Sequence, residues 1–299
     1  MATTVRTASF GPRVALGARL ARARHLPGTL WIGSAILVLY ILVALTAQFW
    51  APFTFSQIAT GIPLSGPSLK HLFGVDQLGR DVFSRVVLGT DKELFLALAS
   101  TLLAMVVGGG LGLLSGFVGG LFDEMLNRFF DLLISIPILI FALLVITAAG
   151  PELSGSLVLL VAVVALVYVP RIARMARAVA IDLVTRDFVT IARMRGESAW
   201  SIVWREVAPN ATGVLLVEFG VRAGWAPVLI GTLGFLGFGV RPPTPEWGLM
   251  ISENRSAIFT TPSVVLAPML ALSLLVIGLN FFTDGLARVL GRSVQRGPI

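Results

Sequence analysis

Two charged clusters have side chains spaced to meet one another. Glu218 and Arg222 stand four residues apart inside an otherwise apolar stretch, the separation at which side chains share one face of a helix. A charge at membrane depth costs roughly 2.5–3.5 kcal/mol and usually faces a cavity or a partner. The pair therefore either neutralises itself or also lines a translocation path for a solute that carries both a carboxylate and an ammonium. The second cluster, Asp76, Arg80, Asp81 and Arg85, alternates in sign at helical spacings, which favours mutual pairing. In an exposed setting such pairs contribute only about 0–1 kcal/mol each, so their expected role is to order an external scaffold together with Gly79; fold stability alone is the competing reading. Covalent chemistry has no carrier. The sequence contains no GxxxxGK[ST] loop, no HExxH, no GxSxG and no cysteine, and His25 and His71 are its only histidines. Neither phosphate-loop ATP hydrolysis nor thiolate metal binding is available. The chain reads as a non-enzyme without metal or cofactor of its own, drawing energy from a partner or an ion gradient.

The elements that hold these clusters are long and apolar. Of 299 residues, 56% are hydrophobic and 13% charged, against roughly 25% charged in soluble domains. The expected fold is all-α and integral to a membrane, with six transmembrane helices near 30–50, 94–118, 130–149, 156–180, 211–238 and 264–288. The first is too long for the roughly 7–15-residue core of a signal peptide and is read as an uncleaved helix. It follows a basic segment, 1–29, with five arginines and no acid. With that segment in the cytoplasm, 16 Lys and Arg fall inside (Arg171, Arg174 and Arg177 among them), 6 outside, and Arg222 within a span, as the positive-inside rule requires. The net charge of +7 is thus an asymmetry between membrane faces and not a nucleic-acid signature. The resulting division is a cytoplasmic 1–29, a first helix 30–50, an extracytoplasmic 51–92, a five-helix core 93–290 with a cytoplasmic loop 182–210, and a cytoplasmic tail 291–299. Gly108, Gly112, Gly116 and Gly120 recur every four residues, a stripe that lets another helix approach closely. Packing inside this chain is favoured over contact with a second subunit.

Between the fourth and fifth apolar stretches lies Asp187–Asn210. Phe188, Ile191 and Ala192, then Trp200, Val203, Trp204 and Val207, repeat at helical spacing. Thr185 is placed to cap the first helix, with Asp187 in its first turn. Gly196 permits a reversal, and Pro209 is expected to end the second helix. Two short amphipathic helices around a glycine elbow suit a part that docks against a soluble partner.

This run resembles the EAA loop of permease subunits of binding-protein-dependent ABC importers. Ala192, Gly196, Ser198, Pro209 and Asn210 match, with Glu197 beside the glycine, while Ile191, Glu206 and Ala208 depart from the usual alanine, histidine and leucine. Three further blocks are similar to the dipeptide/oligopeptide branch in its second-subunit (DppC/OppC-like) form. They are Phe73–Arg85, with Val75 for threonine; Leu233–Gly248, whose prolines 242, 243 and 245 are expected to present Trp247 at the outer interface; and Asn280 to Arg288, with Thr283 for glycine. After Gly89 the branch reads Ala-Arg-x-Ser-Leu, and here Thr90, Asp91, Lys92 and Glu93 intervene. The resemblance implies a type I importer permease in a bacterial cytoplasmic (inner) membrane with both termini cytoplasmic. Its implied partners are a second homologous permease, two ATP-binding subunits that hold ATP and Mg, an extracytoplasmic solute-binding protein and membrane lipid. Dipeptides or oligopeptides lead as solutes, with nickel chelates, glutathione, opine-like compounds or sugars as alternatives. An ion-coupled secondary transporter predicts acids deep in several spans and an internal repeat, and neither is visible. A membrane scaffold leaves Glu218 and Arg222 without a purpose.

Overall fold

The computed structural model describes residues 27–294; the arginines of segment 1–26, His25 and the end of the tail lie outside it. Every regular element among the described residues is helical. Pro27 precedes α1, Gly28–Trp50. The chain then crosses an irregular segment to α2, Val82–Val118, so the second span starts well before the expected boundary at 93. Gly119, with φ +67°, separates α2 from α3, Gly120–Ser135. Pro137 divides α3 from α4, Ile138–Ala148, and the two helices meet at 98°. Ile136 is extended (ψ 129°), as a residue before proline must be. The stretch 130–149 is therefore a sharply bent pair of helices rather than one straight helix. α5 is Leu157–Val184, α6 Asp187–Met194, α7 Ala199–Phe235, α8 Trp247–Glu253 and α9 Ser263–Val294. Five of these helices are long and apolar enough to cross a membrane, and the bent pair α3–α4 would make a sixth if its two halves form one span.

Small residues set the helix contacts. On α2, a Cβ at Gly108 would lie 2.6 Å from the Val169 carbonyl and one at Gly116 2.7 Å from that of Arg177; one at Gly112 would overlap the Ala173 carbonyl. The glycine stripe thus seats α5 within this chain, as favoured from its spacing. Gly120 does not join it, because the chain has already turned at Gly119. α1 lies against α9, with Gly33 on the Phe281–Phe282 backbone and Gly278 under Ile36, and the Tyr40 hydroxyl donates to the Ala271 carbonyl (2.6 Å). Thr283, where the resembled branch has glycine, is accommodated by Gly220 on α7, whose Cβ would stand 2.5 Å from its Oγ1.

Three apolar cores follow. One joins α2, α4, α5 and α7 through Leu96, Ile146, Val164, Ile172 and Ile230. A second joins α1, α2, α8 and α9 around Trp247 and Met250. The third fastens the elbow to α2 and α5 through Leu113, Ala176, Val189, Ile202, Val203 and Val207.

Candidate functional site

The elbow is built as a helix stop and restart. Gly196 has φ +74° and open space around its Cβ position, so glycine is required there by the backbone and not by crowding. Its N–H donates to the Arg193 carbonyl (3.0 Å) and that of Glu197 to the Ala192 carbonyl (3.3 Å), the paired bonds of a Schellman stop. Ser198 then caps α7, accepting from the Ser201 N–H (3.3 Å). Arg195 bonds Glu197 (2.6 Å) across the turn, and this contact holds the Glu197 carboxyl below its ordinary range.

Three local expectations are corrected. Thr185 does not cap α6: its hydroxyl donates back to the Asp182 carbonyl (2.8 Å), and Arg186 occupies the cap position. The buried face is Val189 and Ala192, then Ile202, Val203 and Val207, while Ile191, Met194, Trp200 and Trp204 are exposed. Periodicity fixes a stripe's spacing but not which of two adjacent apolar stripes meets the core. Pro209 does not end a helix either. Val203–Val207 forms a wide π turn and α7 runs on to Phe235, so the missing N–H of Pro209 falls where the hydrogen-bond ladder is already displaced. The Asn210 amide donates to the Glu206 carbonyl (2.7 Å) and stays exposed.

At the opposite end of α2, the alternating charges are buried and not exposed as expected. Asp76 Oδ2 accepts from Arg80 Nε (2.5 Å) and Arg85 Nη1 (2.8 Å), and Oδ1 accepts the N–H groups of Leu78 and Arg80 (both 2.9 Å). Glu253 Oε2 on α8 closes the network to Arg80 (2.7 Å) and Arg85 (3.0 Å). Asp81 instead caps α2, accepting from the Ser84 N–H and hydroxyl (2.8 and 2.7 Å), and lies 2.8 Å from His71 Nδ1. Gly79, φ +76°, makes the turn between Asp76 and Arg80. The cluster ties the 51–81 segment to α8; the sequence distance to Glu253 hid that partner.

Trp247 is also corrected. Rather than meeting the membrane interface it is fully buried, with its indole N–H on the Val86 carbonyl (3.1 Å). Its backbone N–H donates to Glu93 Oε1 (2.8 Å). Glu93, which replaces the branch's serine, is thus a buried acceptor that pins α8 to α2. Glu246 caps α8, accepting from Gly248 and Leu249 (2.7 and 2.8 Å). Burial pushes its carboxyl up to about 7.

Glu218 and Arg222 meet as their spacing predicts: Glu218 Oε1 accepts from Arg222 Nε (2.7 Å) and Nη2 (2.6 Å). Arg222 also lies 6.0 Å from the Tyr168 ring centroid and lines a cleft of about 350 Å³ with Arg171, Tyr168, Trp225 and Thr232. Arg171 stands in the middle of α5 and not in a loop. Arg174 and Arg177, nearer the α5 end, pair with Asp131 (2.6 Å) and Asp123 (2.5 Å) of α3.

A bundle of membrane-length helices with an arginine-lined cleft between two of them and an amphipathic elbow at one end defines a polytopic transport component. Residues 108–296 match the family described as binding-protein-dependent transport system inner membrane component, and the chain belongs to that family. It is similar to a dipeptide transport system permease protein of Alkalihalophilus pseudofirmus, 32% identical over 255 residues, 85% of this chain and 83% of the relative. It is likewise similar to glutathione transport system permease proteins of Pectobacterium atrosepticum (34% over 253 residues; 83% of each chain) and Escherichia coli O6:K15:H31 (34% over 275 residues; 92% and 88%). The protein is accordingly a multi-pass inner-membrane permease of a binding-protein-dependent ABC importer.

Proposed function

We propose that this permease imports dipeptides, oligopeptides or glutathione, the solutes named for its relatives, and that its elbow converts the motion of separate ATP-binding subunits into a change of access. ATP and Mg belong to those subunits. The observation that carries the reading is the two-sided elbow. Val189, Ala192, Ile202, Val203 and Val207 bury one side against α2 and α5, while Ile191, Met194 and Trp200 leave an apolar patch exposed on the other. A rigid body seated on that patch would move α5 and α7 together, and both line the cleft of Arg171 and Arg222, which with the bonded Glu218 is the proposed translocation path.

Ala192, Gly196, Glu197, Ser198, Pro209 and Asn210 form the coupling unit in this reading. The network of Asp76, Arg80 and Arg85, with Gly79 and Asp81, is the scaffold beneath the docked binding protein at the outer face. Both termini lie in the cytoplasm, and a second homologous permease covers the face that carries the cleft. Tagged at its C-terminus and expressed with its genomic neighbours, the chain should co-purify with ATPases stimulated by the binding protein. Gly196→Trp should abolish that stimulation while the subunits still co-purify. Purification of the chain alone, without nucleotide hydrolysis, would reject the reading in favour of ion coupling.

A further inference from the structure

The cleft between α5 and α7 holds more positive than negative charge. Glu218 is committed to Arg222 through both guanidinium contacts. Arg171 donates from Nη1 to the Val167 carbonyl of its own helix (3.0 Å) and has no carboxylate partner among the described residues. Arg171 and Arg222 line the cleft, Glu218 bonds Arg222 without itself lining it, and the three groups together carry a net single positive charge. Arg171 is thirteen residues before the end of α5 at Val184, and Arg222 thirteen before the end of α7 at Phe235. A guanidinium without a carboxylate partner is unfavourable against lipid, so this cleft is suited to face water or an anion.

We infer that the cleft is a carboxylate-binding station that favours solutes of net negative charge, specifically peptides with two carboxylates and one ammonium. Arg171 receives the carboxylate that has no counterpart in a zwitterion. Arg222 and Glu218 receive the remaining carboxylate and the ammonium, and the Tyr168 and Trp225 rings flank the backbone and attract the ammonium through their faces. The volume of about 350 Å³ is at the lower end of small-molecule sites and suits a short peptide. The inference rests on the reading of this cleft as the translocation path.

The test uses the whole importer complex in proteoliposomes and compares uptake of labelled Gly-Glu-Gly with Gly-Gln-Gly, which differ in one charge and hardly in shape. The binding protein is common to all complexes, so its preference cancels when ratios are compared between variants. Arg171→Gln should lower the Gly-Glu-Gly to Gly-Gln-Gly ratio at least fivefold, and Arg171→Lys should hold it within twofold of wild type. Thr232→Asp, which adds a carboxylate to the lining, should lower the same ratio and serves if Arg171→Gln does not assemble. Rates that fall together at an unchanged ratio would overturn the charge preference and leave the path reading standing. Rates and ratios equal to wild type in both charge-changing variants would overturn both. A wild-type complex that takes up no Gly-Glu-Gly would overturn the proposal outright.

Discussion

Replacing Asp76 with asparagine should be among the most damaging single-atom changes in the chain. The Asp76 carboxylate is fully buried and accepts four hydrogen bonds: two from backbone N–H groups and two from Arg80 and Arg85. Asparagine keeps one oxygen. Its amide nitrogen must face either the two backbone donors or the two guanidiniums, so one pair of donors loses its acceptor. The network of Asp76, Glu253, Arg80 and Arg85 also changes from neutral to a net positive charge, while Arg85 Nε and Nη2 already lack partners among the described residues. Breaking a buried pair from one side costs about 3–5 kcal/mol. At roughly 2–4 °C per kcal/mol, less in longer chains, the apparent melting temperature should fall by roughly 5–15 °C. Glu253→Gln should cost less, because that carboxylate makes two of these contacts and its side chain is 13% exposed. Arg85→Met combined with Asp76→Asn restores the charge balance and should destabilise less than the sum of the two single changes. The assay is fluorescence-detected size exclusion of detergent-purified protein after a heating series. An Asp76→Asn variant that melts within about 1 °C of wild type would refute the argument that this network is a buried, mutually dependent unit.

Two further outcomes follow from the packing and the acids. Gly112→Ala should destabilise the chain by about 1–3 kcal/mol, because its methyl would overlap the Ala173 carbonyl. Gly110→Ala meets Trp204 at an ordinary 3.5 Å and should be neutral or stabilising by up to about 1 kcal/mol; the reverse order in the same heating assay would contradict the helix contact. Burial raises Glu246 from its ordinary value near 4.5 to about 7, so the folded chain binds a proton that the unfolded chain has released. The associated stability is complete below about 4.5 and is lost as pH rises through about 7. Melting temperature should therefore decline across that window in wild type and decline less in Glu246→Gln, and equal slopes would exclude Glu246 as the source.

The membrane class, the helical fold and the elbow were determined by the sequence alone, because each rests on a local property. Span length and apolarity reflect the thickness of a bilayer, Gly196 announces a backbone that other residues resist, and Glu218 and Arg222 meet because four residues is one turn. The family blocks likewise stand in linear order. What only the tertiary structure decided was which side of each element faces inward and what lies opposite. Glu253 joins Asp76 across 177 positions, Trp247 turns into the core because Glu93 and Val86 wait there to accept its N–H groups, and Arg171 joins Arg222 because α5 and α7 lie side by side. Such partners have no spacing rule. A buried charge is settled by whichever distant group can satisfy it at the smallest desolvation cost, and that group is known only once the helices are packed.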